Sequence, residues 1–205
     1  ISLGLVGSEM CIRDRDRLVL SLKNKVWIKP VGRRLTLKKN RDIDFDGLIT
    51  AGKTQYYGFD FSFIYKDFKL NLPKCDSMFI WANYKESKRK GKLVRLQSKI
   101  ETLEGYIQID DPSNKSGLDT SYHAFPKLKS NTKTYVYYDD PSIQNGLYNR
   151  ENFKFIVNPF LMDSLDNFTD NGIDLNGQFL SGGIFPEFEE SLQIMPDYSL
   201  GFIRN

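Results

Sequence analysis

Tyr57-Gly58-Phe59-Asp60-Phe61-Ser62-Phe63-Ile64-Tyr65 carries an aromatic ring at every second residue, with Gly58, Asp60 and Ser62 in between. Successive side chains of an extended strand point to opposite faces, so this spacing places the rings on one side of a β-strand. A helix would scatter them around its circumference. The phase then changes: Phe68, Leu70 and Leu72 fall on even numbers, which demands a turn or bulge near Lys66-Asp67.

Outward from this stretch, the same pattern predicts strands over 25–29, 33–38, 43–51, 78–84, 93–100, 106–109, 134–138, 153–157, 175–180 and 192–194. Spacers rich in Asp, Asn, Gly and Pro separate many of them, as in antiparallel strands joined by turns. The Asp-Pro pairs at 111–112 and 140–141 mark loops, because proline fixes its own φ and keeps the preceding residue out of the α region. Residues 110–128 show little alternation and are expected to be the longest connection, and any division into two sub-units is expected near 110–130. A helical apolar period is missing, so helix is confined to short pieces at 159–165 and near 142–144. The expected fold class is all-β, mainly antiparallel sheet, sandwich-like or elongated.

Weak repetition accompanies the strands. Phe45-Asp46-Gly47, Leu103-Glu104-Gly105 and Leu175-Asn176-Gly177 each place an apolar residue, an acid or amide, and a glycine at what reads as a strand entry. The spacing between copies is irregular, unlike that of a regular solenoid.

Composition narrows the function classes. The 205 residues include 15 Phe and 11 Tyr, too many large rings for a disordered chain. No apolar run reaches the roughly 18 residues a membrane-spanning helix needs. The net charge of +3 conceals a polarity: residues 139–205 hold eleven acids against Arg150, Lys154 and Arg204, a balance of −8, which leaves +11 for residues 1–138. The bases are interspersed with apolar strand positions, as on the solvent faces of sheets, and form no nucleic-acid motif, so no nucleic-acid partner is expected. The one dense basic run, Lys85 to Lys92, reads as an exposed hairpin tip.

Candidate chemistry is sparse. Asp42-Ile43-Asp44-Phe45-Asp46-Gly47 fits the first half of a calcium loop, with oxygen ligands at alternate positions before a glycine turn. Its twelfth position is Lys53, a cation where a bidentate glutamate belongs, so Asp42, Asp44 and Asp46 are weak metal candidates that read more simply as part of a strand. The acids Asp163, Asp166, Asp170 and Asp174, with Asn167, Asn171 and Asn176, read as turn formers. His123 is the sole histidine, and no Gly-x-Ser-x-Gly elbow provides it with a nucleophile. Cys75 precedes Asp76, whose charge disfavours a thiolate. Ser181-Gly182-Gly183 lacks the lysine and helix of a phosphate loop. No catalytic or cofactor-binding residue emerges, and no cofactor is expected. The aromatic stripe has two readings, a groove for acyl chains or sugars and a sheet core; the core is preferred, since five exposed rings would forfeit about 1.5–3 kcal/mol each.

Two resemblances complete the reading. Residues 5–14, Leu-Val-Gly-Ser-Glu-Met-Cys-Ile-Arg-Asp, resemble one translated frame of a transposase adapter used in DNA library preparation, which implies that residues 1–15 are a non-native leader and that 16–205 are an internal β-rich fragment of a larger protein. Leu37-Lys38-Lys39-Asn40-Arg41-Asp42, the run from Ile109 to Gly117, Val136-Tyr137-Tyr138-Asp139 and the run from Ser181 to Pro186 resemble segments of very long bacterial proteins without an assigned activity. That resemblance implies a non-catalytic structural or binding segment, envelope-associated or secreted, whose partners are other segments of the same long chain or an apolar ligand. The alternative is a carbohydrate-active β-sandwich or glycosidase domain, suggested by the abundance of Tyr, Asp and Asn.

Overall fold

A computed structural model describes residues 17–84, 91–141, 144–169 and 173–204, and the main chain alone of 8–11. Among these the chain is all-β. Its strands are β1 (Ser8–Cys11), β2 (Leu18–Ser21), β3 (Val26–Pro30), β4 (Arg34–Leu37), β5 (Ile43–Ala51), β6 (Thr54–Ile64), β7 (Lys69–Asn83), β8 (Leu93–Arg95), β9 (Ile100–Gln108), β10 (Lys127–Ser130), β11 (Thr134–Tyr137), β12 (Phe153–Val157), β13 (Leu161–Met162), β14 (Leu175–Ser181), β15 (Phe188–Ile194) and β16 (Leu200–Gly201).

All pair antiparallel in one curled sheet, whose longest path runs β1-β4-β5-β6-β7-β9-β11-β12-β14-β15-β16. Short strands lie end to end. β3 and β4 share the same side of β5, β10 and β11 share a side of β9, and β12 and β13 continue that arrangement one strand further on. The architecture is thus a meander in chain order, the outcome favoured when most connections are short turns. Its inner face forms one cluster of buried side chains from Val26 to Leu200.

Alternation breaks inside β6. Phe45 opposes Phe61 and Gly47 opposes Gly58, so Phe59 and Asp60 together face the single residue Asp46. Asp60 takes up the extra step at φ +57°, in the left-handed region that Asp tolerates better than most residues. Its N–H donates to Asp46 Oδ1 at 2.8 Å. The bulge reverses which face is buried: Tyr56, Phe61 and Phe63 point into the core, while Tyr57 and Phe59 are 39% and 42% exposed. The five-ring stripe expected on one face is therefore split between two.

Of the three glycine motifs read as strand entries, Leu175-Asn176-Gly177 opens β14, whereas Phe45-Asp46-Gly47 and Leu103-Glu104-Gly105 lie inside β5 and β9. Gly47, Gly105 and Gly177 sit within β5, β9 and β14, where a side chain would run into the neighbouring carbonyls of Lys29, Lys129 and Ile156. Glycine there allows a close backbone approach, and the sheet can curl.

The helix expected at 159–165 is instead β13 followed by a turn, because Leu161 and Met162 pair with Lys129 and Leu128. Tertiary pairing overrides local propensity in so short a segment. Ser142 and Ile143 lie outside the described residues; Gln144–Gly146 is a short 3-10 turn with Asn145 at φ +56°. The turn at Tyr65–Phe68 and the buried Phe68, Leu70 and Leu72 agree with the phase change read from the sequence. β7 and β8 form the hairpin around the basic run, whose residues 85–90 also lie outside the described set.

Residues 109–126 form the long connection and stitch distant turns together. Ile109 N–H donates to Phe68 O at 3.1 Å, and the Ala124 and Pro126 carbonyls accept from Ser164 and Leu165, both at 2.9 Å. Asp110, fully buried, accepts from Asn24 Nδ2 at 2.8 Å and Asn114 Nδ2 at 3.2 Å. A carboxylate so enclosed has to be paired and hydrogen-bonded, and Lys23 Nζ at 3.4 Å supplies the charge.

Candidate functional site

The metal candidates are spread along one strand and its approach, and each carboxylate already has a partner. Asp42 is buried: Oδ1 accepts the Tyr65 N–H at 2.8 Å and Oδ2 accepts from Asn40 Nδ2 at 2.6 Å, which closes the turn before β5. Asp44 pairs with Lys38 at 2.6 Å, and Asp46 holds the Asp60 bulge. No helix flanks them, and among the described residues no three His, Cys, Asp or Glu side chains gather in a way that holds a metal ion.

The later acids also point to separate partners. Asp163 lies 3.7 Å from Lys127, Asp166 lies 3.8 Å from Lys25, and Asp174 accepts from Ser191 Oγ at 3.4 Å. Asp170 and Asn171 lie outside the described residues. His123 is exposed, and the nearby Ser164 hydroxyl donates at 3.2 Å to its main-chain carbonyl, which cannot serve as a general base. Cys75 is buried, and burial pushes its thiol up to about 12, so it stays protonated and unreactive at neutral pH.

The most elaborate polar constellation is one the sequence did not single out. Residues 97–101, the end of β11 with its following turn, Arg150 and the turn before β16 enclose a cleft of about 470 Å³. Arg150 grips Glu101 with two parallel bonds of 3.0 Å and Asp139 with one of 2.7 Å, and its guanidinium lies 4.0 Å over the Tyr137 ring. Lys99 adds a contact to Glu101 at 3.0 Å. Asp139 and Glu101 together hold the guanidinium still more firmly protonated than usual. Burial raises the Tyr137 hydroxyl above its ordinary range, with Arg150 opposing, and burial alone raises Tyr138.

The walls of this cleft are fixed by Gln97 N–H to Tyr198 O at 2.9 Å and Leu200 N–H to Ser98 Oγ at 3.0 Å. Chemically it is an ion clamp, because both carboxylates are paired with forked or point charges. Tyr137 falls in the alternating run at 134–138, whereas Glu101 lies just past the strand expected at 93–100 and Arg150 precedes β12 in an irregular turn, so neither carries a pattern.

A second feature lies on the convex side of the sheet. Both tryptophans point outward: Trp27 sits between the buried Val26 and Ile28, and Trp81 between the buried Ile80 and Ala82. Phe79 faces the same way, and with Tyr57 and Phe59 these rings span four strands. Arg17 lies 4.7 Å over Trp27 and Arg95 lies 5.1 Å over Phe79. Tyr57 and Phe59 are exposed and in edge contact, and the other three rings are half-buried; exposed apolar surface of this kind marks sites of interaction.

No family model, curated protein or solved structure matches the chain. Among the described residues, no helix is long and apolar enough to cross a membrane.

Proposed function

We propose that this chain is a non-catalytic β-sheet segment of a long, envelope-associated bacterial protein, serving as structural framework and as a binding surface. The observation that carries this reading is that the reactive side chains are committed to architecture. Asp42 closes a turn, Asp110 ties loops, Arg150 clamps β9 to the turn before β12, and Cys75 fills the core. A rigid curled sheet with aromatic rings on its convex side suits presentation of a surface rather than turnover.

The alternative, a carbohydrate-active domain, draws on Glu101 and Asp139 beside Tyr137. The ring faces on which a sugar would stack are already taken by cations, since Arg150 covers Tyr137 and Lys154 lies 5.8 Å over Tyr135. The structural reading is therefore preferred.

Long-read sequencing through the source locus tests it. The expected result is a reading frame several times longer, encoding further antiparallel units with the apolar-acid-glycine motif. A complete gene of about this length, or hydrolysis of a glycan by the purified chain that is lost in Glu101→Gln, would overturn it.

A further inference from the structure

Two surfaces on different strands of the sheet are complementary in charge, and both carry exposed apolar side chains. The first is the convex aromatic face of Trp27, Tyr57, Phe59, Phe79 and Trp81, with Arg17 and Arg95 over its rings. The second is the tip of the β14–β15 hairpin, where Ile184 and Phe185 are 61% and 58% exposed. That tip is held in one shape: the Ser181 hydroxyl accepts the Phe185 N–H at 2.7 Å and donates to the Phe185 carbonyl at 3.0 Å. A preformed loop loses little conformational freedom on docking, so its apolar residues can act as anchors.

The charges are opposite. Glu187, Glu189 and Glu190 follow the tip, in the part of the chain that carries −8, whereas the face belongs to the part that carries +11. We propose that the β14–β15 hairpin of one copy docks on the convex aromatic face of a second copy, with Ile184 and Phe185 seated among the rings. This rests on reading the chain as a structural segment, and it names that segment's partner as another unit of its own kind. The contact is head to tail: each copy uses two different patches and leaves one of each free, so the association propagates rather than closing on itself. Aromatic anchors supply the affinity, and the opposed charges set the orientation.

Sedimentation velocity on the full chain tests the pairing. Association is expected to grow with concentration, and its apparent Kd to rise about tenfold between about 0.05 and 0.5 M NaCl as the screening length shortens. A hairpin variant (Ile184→Asp with Phe185→Asp) and a face variant (Tyr57→Thr with Phe59→Thr) are each expected to be monomeric, with native far-UV circular dichroism. Because each retains the patch the other lacks, mixing them should give a one-to-one complex that grows no further.

A monomeric native chain at all concentrations, a hairpin variant that associates like the native chain, or a mixture that stays monomeric would overturn the proposal. So would a monomer that instead floats with phosphatidylglycerol vesicles and loses this in the face variant, since the face would then serve a lipid surface. A monomer whose gene encodes many similar β-units refutes the pairing alone; a short complete gene refutes the structural reading.

Discussion

Asp110 provides the sharpest test of how this sheet is closed. Its side chain is 1% exposed and sits where the β2–β3 turn meets the long connection, 86 residues from Asn24 in sequence. Substitution Asp110→Ala strands the Asp111 N–H, bonded at 2.8 Å, and removes one acceptor each from Asn24 Nδ2 and Asn114 Nδ2. The two amides keep the Ile109 and Asp119 carbonyls at 2.8 and 2.9 Å, so their loss is partial. Lys23 is 27% exposed and keeps the Asp119 carbonyl at 2.7 Å, so its ion pair adds little.

Three lost bonds to a buried carboxylate, at about 1–1.5 kcal/mol each, predict a destabilisation of about 3–4 kcal/mol. That is a large share of the roughly 5–15 kcal/mol available to a domain. With a urea m-value of about 2–3 kcal/mol/M, the midpoint should fall by about 1.5 M. Asp111→Ala is the control: its carboxylate is exposed and bonds only its neighbour Ser113, so it should cost less than about 1 kcal/mol. Equal midpoints for the two variants would refute the view that Asp110 fastens the sheet, as would unchanged amide exchange at residues 22–25 in Asp110→Ala.

The bulge at Asp60 predicts that neighbouring rings of the same strand differ sharply: Phe61→Ala should cost about 3–5 kcal/mol and Phe59→Ala less than about 1 kcal/mol in urea unfolding, and similar costs would mean that β6 keeps one phase. Gly105→Ala, where a methyl group would overlap the Lys129 carbonyl, should destabilise by about 2–3 kcal/mol, whereas Gly183→Ala meets open space and pays only for its φ of +87°, about 1 kcal/mol; thermal melts of the pair check the order. Arg150→Lys should recover less than half of the modest loss caused by Arg150→Ala, about 1 kcal/mol on a side chain 46% exposed, because an ammonium cannot fork across Glu101; full recovery would show that charge alone matters. Burial raises the Cys75 thiol from 9.0 to about 12, so the folded chain holds that proton more tightly than the unfolded one. Its contribution to stability is complete below about pH 9 and lost as the pH climbs toward about 12. Cys75→Ala should flatten part of that alkaline decline in denaturant titrations, and rapid labelling of the native thiol at pH 8 would contradict the burial.

Local alternation by itself determined that this chain is antiparallel sheet, because side-chain direction in a strand depends only on the step from one residue to the next. Strand β12 at 153–157, the end of β5 at Ala51 and the turn at Lys66-Asp67 could all be read from such steps, and so could the turn character of the Asp-Pro pairs. The metal candidates Asp42, Asp44 and Asp46 were legible as a spacing, but their partners were not: Tyr65, Lys38 and Asp60 reach them through strand pairing and turn geometry. Tertiary structure alone decided three further things. One left-handed residue at Asp60 exchanged the faces of β6; Asp110 met Asn24 across the folded sheet; Arg150 joined Glu101 to Asp139. These are contacts between residues far apart in the chain, and their energy exists only once the curled sheet has brought them together, so no local pattern encodes them.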